Sequence, residues 1–289
     1  MKDIIKSYAK INMSLHVVKK MKNGYHKLKM INTLINLYDE ISFEPCDEIV
    51  VAMSKDICLM EDNLCYKIAL YLKNRYQIDK GINIFIDKHI PDGGGLGGGS
   101  SNAACVLEYL NEYWNLKLSK KQMINIAKQF GCDIPFFINK NISYVKGYGE
   151  KIKTLKVKEN NSNILLVIPN FKINTKVLYQ NFKEFRKDRT KLFLKNIKKG
   201  IYTGMFNDLE TTADKLNNNK ISELKKQIEN SGVTKAVMSG SGSTIVGYIE
   251  EENKINEVKE RIISNIKDVN VIITKVKMYT YWKKLYYDI

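Results

Sequence analysis

Six of the chain's 17 glycines fall within the seven positions 93–99, and that cluster limits what can be built around it. Glycine forfeits more conformational freedom on folding than any other residue, so neither a helix nor a strand tolerates this density. The segment must be a loop. It is led in by Ile82, Ile84 and Ile86, which alternate as a strand does, and led out by a helix predicted over about 101–115. Glycines without Cβ atoms let several backbone N–H groups converge on one anion, and the helix that follows adds the positive end of its dipole. Ser100 and Ser101 stand where helix-capping hydroxyls and phosphate donors are expected. A flexible linker would not be framed by a strand and an amphipathic helix, so the segment reads as a phosphate cradle.

Two common cradles are excluded. A P-loop needs Lys directly after its last glycine, and here Ser100 follows Gly99. A dinucleotide fold needs a second strand, ending in an acidic residue, after a single helix. Here a second helix is predicted over about 119–130.

The rest of the chain is read more coarsely. Strands are predicted over 4–19, 29–44 and 47–54, then a helix over about 64–76 capped by Asn63, with Leu64, Ile68, Leu72 and Tyr76 at i, i+4 steps. The polar stretch Lys151–Asn163 marks a junction, so one domain is expected over 1–155 and a second over 156–289. Beyond it come a strand (164–168), helices near 174–185, 206–216 and 220–230, a strand–loop–strand at 235–249, a helix near 254–266 and a strand near 269–277. That order suggests an α+β sandwich of ferredoxin-like type.

The 289 residues carry a net charge of +16, which suggests an anionic partner: nucleic acid, an acidic membrane surface or a phosphorylated small molecule. Only Arg75, Arg186, Arg189 and Arg261 among the 47 basic residues are arginines, although arginine is the residue best suited to reading bases and phosphates. The lysines form no dense run, so nucleic acid is not expected. The run Ile164–Ile168 is as long as any apolar run in the chain, against ~18 residues for a membrane span, and no membrane role is expected. Lys2, Asp3, Lys6 and Lys10 break up any leader-like apolar stretch, so the chain is expected to be cytoplasmic. Five cysteines without a C-x-x-C pair fit reduced thiols. Three scattered histidines are too few for a zinc site.

Three segments together carry a family resemblance. Pro91 to Ala104 (PDGGGLGGGSSNAA), Tyr8-Ala9-Lys10-Ile11-Asn12 and Met238-Ser239-Gly240-Ser241-Gly242-Ser243-Thr244 resemble, in order, the second, first and third motifs of the GHMP kinases. Asn23-Gly24-Tyr25-His26, Gly131-Cys132-Asp133-Ile134-Pro135 and Asn207-Asp208-Leu209-Glu210 resemble the branch whose acceptor is a cytidine diphosphate-linked methylerythritol. Cys132 stands where that pattern has Ala, and Asp92 where an apolar residue is usual.

The resemblance implies a two-domain α+β fold with the site between the domains, a small-molecule acceptor, ATP, and Mg²⁺ bridging its phosphates. Pro91, Asp92, Gly93, Gly94, Gly95, Leu96, Gly97, Gly98, Gly99, Ser100 and Ser101 would form the ATP loop, with Ser101 one possible ligand of the metal. Asp133 would take the proton of the acceptor hydroxyl. Pro135 is expected to end the helix before it. Lys10 would pair with Asp133 and offset charge on the attacking oxygen; it is one of 43 lysines, and only the motif distinguishes it. Asn12, two residues along the same strand face, would bond the acceptor's hydroxyls. Tyr25 would stack on the cytosine and His26 bond its edge. Tyr179 is placed as the second face of the clamp, with a core aromatic the equal alternative. Thr175 would meet the diphosphate, and Gly240 and Ser241 the substrate or the γ-phosphate. A homoserine or mevalonate kinase, or a sensor that binds without catalysis, is the alternative reading.

Overall fold

The computed structural model describes residues 3–157 and 163–277. The first part runs β1 (Asp3–Lys20), β2 (His26–Cys46), β3 (Ile49–Met53), α1 (Leu64–Arg75), β4 (Gly81–Asp87), α2 (Gly98–Tyr113), α3 (Lys120–Ala127), α4 (Ile134–Asn139), β5 (Ser143–Gly147) and β6 (Lys151–Thr154). After it come β7 (Asn163–Pro169), α5 (Thr175–Asn181), α6 (Thr190–Ile197), β8 (Phe206–Asn207), α7 (Glu210–Leu216), α8 (Lys220–Asn230), β9 (Lys235–Met238), β10 (Ile245–Tyr248), α9 (Ile255–Asn265) and β11 (Val269–Lys277).

Strands β1 and β2 form a long antiparallel pair. Because side chains alternate across a strand, a bulge moves everything beyond it to the other face. The register of β1 slips between Asn12 and Ser14. Before the slip Ala9, Ile11 and Met13 pack with Ile31, Ile90 and Leu96; after it Leu15 and Val17 join Leu28, Met30 and the α1–α2 layer. One strand thus serves two cores, and Lys10 and Asn12 lie buried between them.

The later sheet has the order β11-β7-β10-β9, antiparallel throughout. Helices lie between β7 and β9 and between β10 and β11. This is the ferredoxin-like arrangement that the strand order implied. The end of β11 also pairs with β2 through Val276 and Lys277, and β8 pairs with β1 at Ser14 and Leu15.

Several expectations are corrected. Helix α2 begins at Gly98 rather than 101, with Gly97 as its N-cap at φ +72° and no side-chain cap. Pro135 does not end a helix: α3 stops at Ala127, and Pro135 sits in the first turn of α4, where its missing N–H has no role. Phe206 and Asn207 form a strand rather than a helix start, and the helix expected to reach 185 ends at Asn181. The short elements α4, β5, β6 and α6 carried too little period to be read.

The glycine loop is anchored from below by the fully buried Asp39 on β2. Its carboxylate accepts from His89 N–H and Ile90 N–H, both at 2.8 Å, and from Asn102 Nδ2 at 2.9 Å, and it pairs with Lys88. Lys88 also donates to Asn102 Oδ1 at 2.9 Å. The entry to the loop and the start of α2 are therefore held by one carboxylate. Removing one partner of such a buried pair strands the other charge, so Asp39→Ala is expected to destabilise the protein by ~3–5 kcal/mol. Urea unfolding reads this directly, and a loss below about 1 kcal/mol would contradict the anchoring role.

Candidate active site

The glycine loop and the segment 239–244 are in backbone contact. A Cβ on Gly95 would lie 2.1 Å from Ser239 O, and Gly95 has φ +73°. A Cβ on Gly97 would lie 2.8 Å from Phe137 Cζ and 3.1 Å from Lys10 Cγ. Nothing larger than glycine fits at either place. Ser239 Oγ donates to Gly95 O at 3.1 Å, and Asn12 N–H donates to Ser239 Oγ at 3.3 Å. The segment Asn207–Glu210 holds this arrangement from behind. Asn207 Nδ2 donates to Met238 O and Gly240 O at 2.8 and 2.7 Å, and Glu210 Oε1 accepts Met238 N–H at 2.7 Å. Asp208, fully buried, bonds His16 Nδ1 and Val17 N–H and so ties the same segment to β1.

Lys10 is 4% exposed. Its N–H donates to Leu96 O at 2.9 Å, which locks β1 to the glycine loop. Its ammonium bonds Asn12 Oδ1 and lies 3.6 Å from Asp133 Oδ2. Asp133 stands at the N-terminal edge of α4 and remains partly open to solvent. A carboxylate that can reach solvent beside a buried cation suits proton abstraction from a bound hydroxyl. The expectation for Asn12 is modified. Its side chain is buried, and its amide bonds Lys10, Asn32 and Met30 rather than standing free for a substrate hydroxyl.

His26, on β2, is buried, with both ring nitrogens lacking a hydrogen-bond partner. Buried polar atoms are rarely left so. Its ring lies 5.4 Å from that of Tyr179, tilted 33°, and meets Phe182 edge-on at 5.9 Å. Burial, and then the charges of Asp133 and Cys132, raise the Tyr179 hydroxyl above its ordinary range, so it stays protonated. Tyr25 is 61% exposed and packs edge-on against Tyr148, a residue that sequence reasoning missed. Tyr179 thus faces His26 rather than Tyr25. The hydroxyls of Thr175 and Ser241 lie 2.7 Å apart, joining the start of α5 to the segment 239–244.

Every site residue expected from the sequence except Ser101 lines one cleft of about 1180 Å³, above the ~300–1,000 Å³ of a single-ligand pocket. Lys10, Lys20, Lys88 and Lys176 line it against Asp92 and Asp133. Asp92 pairs with Lys172 at 2.7 Å, so its carboxylate is offset rather than opposed to an anion. Ser101 corrects the sequence reading. Its hydroxyl is buried against Tyr8 O at 2.6 Å and Ser7 Oγ at 2.8 Å, and it lines a separate small cavity behind α2. Ser100, one residue earlier, faces the cleft. Among the described residues no cluster of three or more His, Cys, Asp or Glu is placed to hold a metal, and no helix is long and apolar enough to cross a membrane.

Family models for the GHMP kinases N-terminal domain and the GHMP kinases C-terminal domain match residues 63–141 and 182–268. The chain belongs to the GHMP kinase family. It is 36% identical over 286 residues to the 4-diphosphocytidyl-2-C-methyl-D-erythritol kinase of Clostridioides difficile strain 630, covering 94% of this chain and 95% of the relative. It is 38% identical over 271 residues to the enzyme of the same name from Alkaliphilus oremlandii strain OhILAs, covering 89% and 91%. A crystal structure of 4-(cytidine 5'-diphospho)-2C-methyl-D-erythritol kinase superimposes with a TM-score of 0.80 at 26% identity, over 96% of this chain and 99% of that one. The mevalonate kinase of Methanococcus jannaschii shares the fold at TM-score 0.70 and 17% identity, over 96% and 99%.

Burial, and secondarily the charge of Lys20, lowers the His26 pKa below the ordinary 6.5. The folded state therefore resists protonation, and the penalty appears as pH falls through 6.5 and is complete below the lowered folded value. Relative to His26→Gln, the stability difference should be constant above that range and shift against the wild type below it. Parallel pH–stability curves from pH 8 to about 5 would contradict a buried neutral imidazole.

Proposed function

We propose that this chain is an ATP-dependent kinase that phosphorylates the 2-hydroxyl of 4-diphosphocytidyl-2-C-methyl-D-erythritol, a step of non-mevalonate isoprenoid biosynthesis. The observation that carries this reading is the layout of a single cleft. The cleft is lined by the glycine loop, by His26 and Tyr179, whose rings are 5.4 Å apart, and by the Lys10–Asp133 pair; Lys10 lies against Gly97, and the charge of Asp133 acts on Tyr179. The relatives named for this activity support the same acceptor. The unpartnered His26 nitrogens favour an acceptor that carries a nucleobase, which neither mevalonate nor homoserine does.

In this reading the triphosphate lies along Gly93–Gly99, bound by converging N–H groups and the N-terminus of α2. The cytosine takes its hydrogen bonds from His26, with Tyr25 and Tyr179 supplying ring surface; stacking of this kind is worth ~1–3 kcal/mol per base. Thr175 and Ser241 reach the diphosphate, and Gly240 the transferred phosphoryl. Asp133 takes the proton of the tertiary hydroxyl as its oxygen attacks the γ-phosphorus, the β–γ bond breaks and ADP leaves. Lys10 holds Asp133 in place and offsets negative charge on the attacking oxygen and the phosphoryl group. A Mg²⁺ bound with the nucleotide would need only one or two protein oxygens; Ser100, facing the cleft, would supply one, and Ser101, buried against Tyr8 O, would not. When bound, the ion would neutralise charge on the nucleotide's phosphates. The reading keeps the division at 155/156, on either side of which the two family models fall, and a cytoplasmic setting.

Asp133→Asn removes the base and keeps the shape. Turnover should fall by ~10²–10⁴-fold with little change in ATP affinity. Steady-state kinetics with a separate ATP titration measure both quantities. Turnover within about 3-fold of wild type would remove Asp133 from the mechanism.

A further inference from the structure

We propose that Asn32, on β2, is a positioning residue that sets the orientation of Lys10 through Asn12. The chain of contacts has only one consistent polarity. An ammonium donates and never accepts, so Asn12 must turn Oδ1 to Lys10. Its amide nitrogen then faces β2, where it donates to Asn32 Oδ1 at 2.8 Å and to Met30 Sδ at 3.4 Å. Asn12 and Asn32 stand directly opposite each other in the β1–β2 register. Both are 1% exposed, so no solvent competes for these bonds.

The arrangement leaves Asn32 Nδ2 buried without a hydrogen-bond partner. An apolar side chain of the same shape would leave no such orphan. The use of Asn at this position therefore lies in its one satisfied atom, Oδ1. Without that acceptor Asn12 Nδ2 keeps only Met30 Sδ as a partner, so the side chain is free to turn toward another acceptor, and Lys10 loses the Oδ1 that holds it 3.6 Å from Asp133.

This inference rests on Lys10 acting in the proposed phosphoryl transfer, and the test separates the two. Asn32→Leu keeps the shape and removes the acceptor; Asn32→Asp keeps an accepting oxygen in either protonation state. The Leu variant should lose about 10–100-fold in kcat, as a displaced catalytic group does, with KM for ATP and acceptor within about 2-fold. The Asp variant should stay within about 3-fold of wild type. In a Lys10→Ala background the Leu change should cost no further factor, because its effect passes through Lys10. Wild-type kcat in Asn32→Leu, equal losses in the Leu and Asp variants, or an undiminished loss in the Lys10→Ala background would each overturn the proposal. If the Leu variant does not fold, Asn32→Ala, which cannot overfill the site, gives the same comparison. A crystal structure of the folded variant needs no substrate. It should show Lys10 Nζ moved away from Asn12 Oδ1, and an unmoved Lys10 overturns the proposal even if the acceptor proves to be another compound.

Discussion

The cleft depends on one backbone contact, the approach of Gly95 to Ser239 O, which leaves no room for a Cβ. It brings two loops from distant parts of the chain together over Lys10 and Asn12. Each loop is braced by a carboxylate, fully buried for Asp39 and partly exposed for Glu210. Asp39 holds the entry to the glycine loop, and Glu210 with Asn207 holds the start of the segment 239–244 at Met238 and Gly240. The bulge after Asn12 allows β1 to run between the two cores, so that a lysine can be buried where both loops meet. Phosphoryl transfer asks a protein mainly for placement and charge, and this scaffold supplies placement through backbone rather than through long side chains.

The parts of this design that local chemistry dictates could be read from sequence. A dense glycine run reads as a loop, which holds for 93–97 although Gly98 and Gly99 open α2; Ile82, Ile84 and Ile86 alternate as a strand, and the later strand order leads to β11-β7-β10-β9. What escaped depends on partners far away along the chain. Ser101 looks like a phosphate donor until α2 is seen to start at Gly98, which turns its hydroxyl onto Tyr8 O. Pro135 looks like a helix stop, yet it opens α4. Tyr148 and Phe182 meet Tyr25 and His26 only through tertiary packing, as do the buried links from Asn32 to Lys10 and from Asp39 to the loop. Asp39 and Asn32 had no local signal at all: each is a polar residue within a strand, and its burial is visible only in the fold.

The charge of +16 takes on a narrower meaning in this setting. Four lysines line the cleft, and Lys10 and Lys88 among them are buried and paired with carboxylates. Others form surface pairs such as Lys172–Asp92 and Lys215–Glu184, which contribute little to stability. In the proposed function, a triphosphate and a diphosphate-linked acceptor are the anions that the cleft lysines would meet. The excess elsewhere acts at most on capture of anionic ligands at low salt.

The most direct measurement offers the purified protein ATP with Mg²⁺ and, in separate reactions, 4-diphosphocytidyl-2-C-methyl-D-erythritol, mevalonate and homoserine. ADP release is followed by a coupled assay and the product is located by phosphorus NMR. The account predicts ADP formation with the cytidylyl acceptor alone, and a new phosphate monoester on its 2-hydroxyl. Phosphorylation of mevalonate or homoserine with none of the cytidylyl compound would contradict it.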